Sequence, residues 1–236
     1  MNERRLAVIT ARGGSKRIPR KNIKDFCGKP IIAYSIEAAL ASELFDEVMV
    51  STDDEEIAEV ARARGASVPF MRSEAASDDY ATTAAVLLEV HNSYEARGRS
   101  FDCLCCIYPT APFVTAAKLE AALSLLEEGA DIVLAVAEFS FPPQRGLVET
   151  PCGLEFWQPE NAATRSQDLP TVYHDAGQLY FCKVPSLRRC GGLYGGVVRG
   201  LVVPQTEVQD IDNPVDWQLA EMKYERMVRS NDFAYA

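Results

Sequence analysis

The stretch Leu6-Ala7-Val8-Ile9-Thr10-Ala11-Arg12-Gly13-Gly14-Ser15-Lys16-Arg17-Ile18-Pro19-Arg20-Lys21-Asn22 begins as an unbroken apolar run and turns abruptly into glycine and cations. A run such as Leu6–Thr10, apolar without alternation, is the pattern of a strand buried on both faces of a parallel sheet. Two glycines directly after it let backbone amides approach an anion closely, and the cations that follow neutralise it. Open parallel sheets bind their ligands beyond the carboxyl ends of the strands, so the loop predicts a nucleotide phosphate site. Neither standard phosphate motif is present. No glycines stand at the GxGxxG spacing, and Gly28-Lys29 lacks both the upstream Gly and a following Ser or Thr. A solvated basic loop is the plainer alternative. Seven cations between Arg12 and Lys29 weigh against it.

Outward from this loop the elements alternate. Pro30 suits the start of a helix that carries Ile32, Ile36, Ala39 and Leu40 on one face. Glu47–Ser51 reads as a strand, with Thr52 or Asp53 capping a helix through Ile57, Val60 and Ala61 that Gly65 stops. Ser67–Phe70 reads as a short third strand. A helix over Ala81–Arg97, a strand Cys103–Tyr108, a helix capped by Thr115 and a strand Asp131–Val136 follow. This order predicts an α/β fold, a doubly wound and mostly parallel sheet with helices on both faces. From about 137 to 171 the rhythm breaks in a proline-rich stretch without helical period, which reads as a lid or as an arm. Gln178–Val184 and Val197–Val203 resume as strands, and Pro214 opens a last helix with Trp217, Leu219, Met222 and Met227.

The chain has 236 residues, 47% hydrophobic and 25% charged, which are ordinary globular values that exclude intrinsic disorder. One domain over 1–236, with the arm or lid inserted, is the expectation. No stretch reaches the length of a membrane span, and Met1 to Arg5 lead into an apolar run too short for a signal segment, so a cytoplasmic protein is expected. Seven cysteines, three of them (Cys103, Cys105, Cys106) in one apolar segment, suit reduced and buried thiols. The formal charge of −10 argues against nucleic acid as a partner. Yet nine of the 24 basic residues fall within the first 29 positions, opposed there only by Glu3 and Asp25. That local concentration suits a small polyanion.

Two further segments carry chemistry. In Gln209-Asp210-Ile211-Asp212-Asn213-Pro214, residues i and i+2 of an extended chain point the same way, so Asp210 and Asp212 can present carboxylates to one Mg²⁺. Surface acids with a helix cap before Pro214 would leave the same pattern. In Tyr173-His174-Asp175-Ala176-Gly177-Gln178, one of only two histidines stands beside Asp and Gly at the entry to a strand, as a site residue or in an ordinary turn. His91 reads as a plain helix residue. No second Cys or His pair stands at zinc-site spacing, and no Gly-x-Ser-x-Gly elbow occurs.

Taken together, the segments Ala11–Lys16, Val50-Ser51-Thr52-Asp53, Ala76-Ser77-Asp78-Asp79, Pro109-Thr110-Ala111-Pro112 and Asp210-Ile211-Asp212 resemble, in order, the CMP-sialic acid synthetase family of acylneuraminate cytidylyltransferases. Arg17–Asn22, Cys106–Pro112, Thr164–Asp168 and Tyr173–Gln178 resemble its pseudaminic acid branch. The resemblance implies a Rossmann-like nucleotidyltransferase with a small dimerisation arm, a homodimer, and transfer of CMP from CTP to the anomeric hydroxyl of an acidic nine-carbon sugar. It implies Arg12, Gly13, Gly14, Ser15, Lys16 and Lys21 at the triphosphate, and Asn22, Arg72 and Thr82 or Thr83 near cytosine and ribose. Asp210 and Asp212 would hold Mg²⁺, so that Arg12, Lys21, Asp210 and Asp212 carry the catalysis. Tyr108, Arg145, Arg165, Gln167, His174 and Gln178 would line the sugar pocket. Sialate members have Gln where this chain has Tyr108, which favours a differently decorated sugar over N-acetylneuraminate. Pseudaminic acid is the expected acceptor; the same chemistry on N-acetylneuraminate, on legionaminate or on an eight-carbon analogue, and a nucleotide-binding regulatory protein without turnover, are the alternatives.

Overall fold

A computed structural model of the chain describes residues 3–78 and 80–234. Met1 and Asn2, and Asp79 of the Ala76–Asp79 segment, lie outside the described residues. The elements in chain order are β1 (Arg5–Thr10), the two-residue pair β2 (Asp25–Phe26) and β3 (Lys29–Pro30), α1 (Ile31–Ala41), β4 (Glu47–Ser51), α2 (Glu55–Ala63) and α3 (Thr83–Glu95). Then come β5 (Cys103–Ile107), α4 (Ala116–Glu127), β6 (Ile132–Glu138), the hairpin β7 (Leu147–Thr150) and β8 (Gly153–Phe156), β9 (Tyr173–Lys183), α5 (Val184–Cys190), β10 (Val198–Val202) and α6 (Pro214–Ala234).

Six strands form one sheet in the order β10-β6-β9-β5-β1-β4. The β4-β1-β5 and β10-β6 pairings are parallel, and only β9 runs against its neighbours. The apolar runs of β1 and β5 follow from this: both are central and covered on both faces. One face packs α1, α2 and α4 through residues such as Ile32, Ile57 and Leu119. The other packs α3 and α5 through Leu87, Val90 and Leu187. A third cluster, of Ile18, Phe26, Tyr34, Phe113, Ile211 and Trp217, joins the basic loop to α6. It ties the segment that carries the two aspartates to the loop after β1.

Several local expectations are corrected. Ser67–Phe70 is no strand: a single bridge joins Met49 to Ser67. Pro69 has no N–H to continue the ladder. The cap of α2 is Asp54, whose side chain accepts from the Ile57 amide at 3.0 Å. Helix α3 starts at Thr83, with Thr82 as its cap. Leu40 is exposed, in the last turn of α1. Strand β9 begins at Tyr173, earlier than expected, and is antiparallel.

The stretch 139–172 contains the β7-β8 hairpin and three short 3₁₀ turns. Phe141, Leu147, Leu154 and Trp157 on it are exposed. Cys103, Cys105, Cys106 and Cys182 are buried free thiols, while Cys27, Cys152 and Cys190 are exposed and free.

Candidate active site

The loop after β1 is shaped by contacts to the start of α2. The Gly13 amide donates to Asp53 Oδ1 at 2.9 Å. A Cβ at Gly13 would stand 2.6 Å from Asp54 Oδ2, so only glycine fits against that carboxylate. Arg20, held in the left-handed region at φ 53°, grips Asp54 through both terminal nitrogens at 2.5 and 2.9 Å. That bidentate pair offsets the backbone strain of a non-glycine residue there. It also keeps Asp54 below the usual carboxylate range, chiefly through the Arg20 hydrogen bond.

Of the seven loop cations, Arg12, Lys16, Arg17 and Lys21 line a cavity of about 490 Å³ at the carboxyl end of β1. The other three serve the fold. Arg20 holds Asp54, Lys24 lies over the Trp217 ring, and Lys29 pairs with Glu37 over Tyr34. Gly14, Ser15, Asn22, Arg72, Thr83 and Tyr108 complete the walls, together with Thr10, Asp78 and Thr110, which the sequence reading did not single out. Asn22 is buried and donates to the Arg12 carbonyl at 2.8 Å. Arg72 bonds Ser51 through Nε (3.0 Å) and Nη2 (2.5 Å), and burial lowers its pKa from the ordinary arginine value. Thr82 spends its hydroxyl on capping the Ala85 amide at 3.2 Å, so Thr83 is the threonine of the pair that faces the cavity.

A second cavity of about 510 Å³ adjoins the first and shares Tyr108 with it. Tyr108, His174, Asp175, Tyr180, Gln209 and Asp210 are among its walls. The Tyr108 hydroxyl lies 2.9 Å from the Thr83 hydroxyl, and burial raises its pKa. The Tyr180 and Tyr194 hydroxyls both donate to Asp175 Oδ2, at 2.6 and 2.7 Å, while the Gly177 amide donates to Oδ1 at 2.8 Å. Asp175, Tyr180 and Tyr194 were not singled out from sequence, although the first lies inside a segment that was.

The two aspartates divide between the cavities, Asp212 on the first and Asp210 on the second. Ile211 between them is buried, which turns both carboxylates outward as i and i+2 alternation requires. Asp212 faces Arg17 at 3.1 Å and Lys21 at 3.8 Å. Lys21 also donates to the Ile211 carbonyl at 2.6 Å, and burial lowers its pKa from the ordinary lysine value. Asp210 is held above the usual carboxylate range, first by loss of water around it and then by the charge of Asp212. Two crowded carboxylates are a hard-oxygen set that a divalent cation would relieve. Among the described residues no group of three or more His, Cys, Asp or Glu side chains could hold a metal. A pair of carboxylates is the kind of oxygen donor set that suits Mg²⁺, with water and phosphate oxygens as its further ligands.

The remaining expected sugar contacts are placed elsewhere. Gln178 is buried and donates to the Glu207 carbonyl at 2.5 Å, outside both sets of lining residues. Arg145, Arg165 and Gln167 sit on the 139–172 segment, also outside both. There Arg145 reaches the Ser166 hydroxyl at 3.4 Å and Arg165 lies 3.7 Å from Asp168.

The cytidylyltransferase family model matches residues 6–185. A pseudaminic acid cytidylyltransferase of Campylobacter jejuni is 40% identical over 221 residues, covering 93% of this chain and 95% of the relative. A CMP-N,N'-diacetyllegionaminic acid synthase of Legionella pneumophila is 32% identical over 227 residues, covering 92% and 94%. Among solved structures, a CMP:2-keto-3-deoxy-manno-octonic acid synthetase complexed with CTP shares the fold, with a TM-score of 0.69 at 19% identity over 95% of this chain and 99% of that one. The chain belongs to the cytidylyltransferase family of CTP-dependent nucleotidyltransferases.

Proposed function

We propose that the chain transfers CMP from CTP to the anomeric hydroxyl of pseudaminic acid, releasing pyrophosphate. One observation carries the reading: a basic cavity and a second, less basic one meet at Tyr108 and at the Asp210–Asp212 pair. A nucleotide in the first and an acid sugar in the second would bring the α-phosphate and the hydroxyl together at that boundary. The 40% identity to pseudaminic acid cytidylyltransferases supports the choice of acceptor.

Such a transfer needs positioning and charge neutralisation more than covalent help. Arg12, Ser15, Lys16 and Lys21 hold the triphosphate, with Gly13 and Gly14 keeping the backbone close. Asn22, Arg72 and Thr83 orient the nucleoside. Asp210 and Asp212 hold Mg²⁺, which when bound supplies positive charge to the phosphate oxygens. Asp210, on the acceptor side, takes the hydroxyl proton. Tyr108 and His174 contact the sugar. The exposed apolar residues Phe141, Leu154 and Trp157 support the 139–172 segment as a dimerisation arm, through which Arg145, Arg165 and Gln167 reach the partner's sugar pocket. Free thiols throughout the described residues, and no helix among them long and apolar enough to cross a membrane, support a cytoplasmic enzyme.

The test is pyrophosphate release from CTP and Mg²⁺ with pseudaminic, legionaminic and N-acetylneuraminic acids in parallel. Release with pseudaminate in clear preference is expected. Preference for another acid sugar overturns the acceptor, and tight CTP binding without release from any of them overturns catalysis. Loss of the dimer in a Leu154→Asp, Trp157→Ser variant, followed by sedimentation, tests the arm.

A further inference from the structure

The segment between β10 and α6 carries both aspartates with only one 3₁₀ turn of its own, so its backbone carbonyls need partners from elsewhere. Two lysines from different parts of the chain supply two of them, and a third pairs with a side chain of the same segment. Lys21, already placed in the nucleotide cavity, donates to the Ile211 carbonyl. Lys223, two turns into α6, donates to the Val208 carbonyl at 2.5 Å and to Gln209 Oε1 at 3.1 Å. Lys118, at the start of α4, pairs with Glu207 Oε2 at 2.6 Å and donates to the Phe113 carbonyl at 2.7 Å. The Glu207 carbonyl in turn receives the Gln178 side chain.

Lys118 and Lys223 line neither cavity. Both are depressed from the ordinary lysine pKa by burial, so each ammonium has given up water to be where it is. A surface role would not require that. Their anchors lie at residues 207–209, immediately before Asp210, while Asp216 fixes the other side by accepting from the Asp212 and Asn213 amides at 3.0 Å. A two-carboxylate site has few protein ligands with which to correct a misplaced one, so its affinity depends on how firmly the backbone between those anchors is held.

We infer that Lys118 and Lys223 are positioning residues, which fasten residues 207–209 to α4 and α6 and so set the spacing of Asp210 and Asp212 for a divalent cation. The inference rests on the reading that these two aspartates hold the cation.

The experiment measures Mn²⁺ binding by water-proton relaxation enhancement in the presence of CTP and without acceptor, so that no turnover occurs. The wild type, Lys118→Met, Lys223→Met, Lys223→Arg and Asp212→Asn are compared. Weakening of Mn²⁺·CTP binding by about tenfold in each Met variant is expected, with the acceptor KM changed less than twofold. Lys223→Arg, which keeps a donor to the Val208 carbonyl, recovers most of the loss. A merely structural role would lower the melting temperature and leave Mn²⁺ affinity where it was, and that result overturns the inference. Should Lys118→Met fail to fold, Lys118→Met with Glu207→Gln removes the stranded charge, and Lys223→Met carries the test alone. Unchanged Mn²⁺ binding in Asp212→Asn overturns the reading of the aspartates instead.

Discussion

Asp175 and Tyr180 lie five residues apart on β9, yet the Tyr180 hydroxyl donates to Asp175 Oδ2 across 2.6 Å. Five residues of regular strand would separate them by about 17 Å and turn them to opposite faces. The pairing of β9 with β6 shifts register here, with Leu134 opposite Tyr180 and Val136 opposite Asp175, so that four residues of β9 face one of β6. Gly177, at φ 61°, lets the chain fold back. Both side chains line only the second cavity. Asp175→Ala is therefore expected to raise the acceptor KM by about tenfold, through loss of a charged partner to two phenols, while the CTP KM stays within twofold. Steady-state kinetics with each substrate varied in turn decides it.

Asp210 sets a conflict between stability and activity. Its folded-state pKa is raised, so its contribution to stability is complete below the unfolded pKa and is lost as pH rises through the folded one. Asp210→Asn should thus melt at a higher temperature than the wild type at pH 7 in metal-free buffer, with the gap closing toward pH 4. Activity of the same variant should fall by at least about 100-fold. A melting temperature below that of the wild type at pH 7 would show that Asp210 is favourably paired.

Lys21 joins the basic cavity after β1 to the aspartate segment. Lys21→Met is expected to lower kcat/KM for CTP by about 100-fold or more, the cost of removing a charged donor from a developing phosphate charge. Because burial lowers the Lys21 pKa, its charge is lost earlier as pH rises than that of a free lysine. The alkaline limb of kcat/KM for CTP should move up in Lys21→Arg, as a pH profile of both proteins would reveal.

Gly13 and Gly14 separate by packing. An added methyl at Gly13 meets Asp54, whereas Gly14 has nothing within 4 Å. Gly13→Ala should cost about 1–3 kcal/mol of stability, as overpacking does, and Gly14→Ala much less. Urea unfolding of the ligand-free variants measures both.

Thiol reactivity follows burial. Native protein at pH 8 should react rapidly with a thiol reagent at Cys152 and Cys190 and slowly at Cys27, whose pKa is pushed to about 11 by burial and by Glu221 and Glu225. Cys103, Cys105, Cys106 and Cys182 should react only after unfolding, bringing the total to seven.

Much of this protein was legible in its sequence because the signals were local. A continuous apolar run must be buried on both sides, which marked β1 as a strand covered on both faces of the sheet. Glycines followed by cations at the end of such a strand marked the loop that lines the cavity there. Alternation about a buried Ile211 turned Asp210 and Asp212 the same way. What tertiary structure decided are properties of pairs distant along the chain. Charge alone could not divide the seven loop cations into four that line the cavity and three that hold Asp54, Trp217 and Glu37, since that depends on which acids and rings the fold carries to them. The resemblance put His174 and Gln178 in one pocket, but the irregularity in β9 falls between them, with Gln178 bonded to the aspartate segment and Tyr180 brought to Asp175. A residue inserted against a partner strand changes which way everything after it points, and only the partner strand records where that insertion falls.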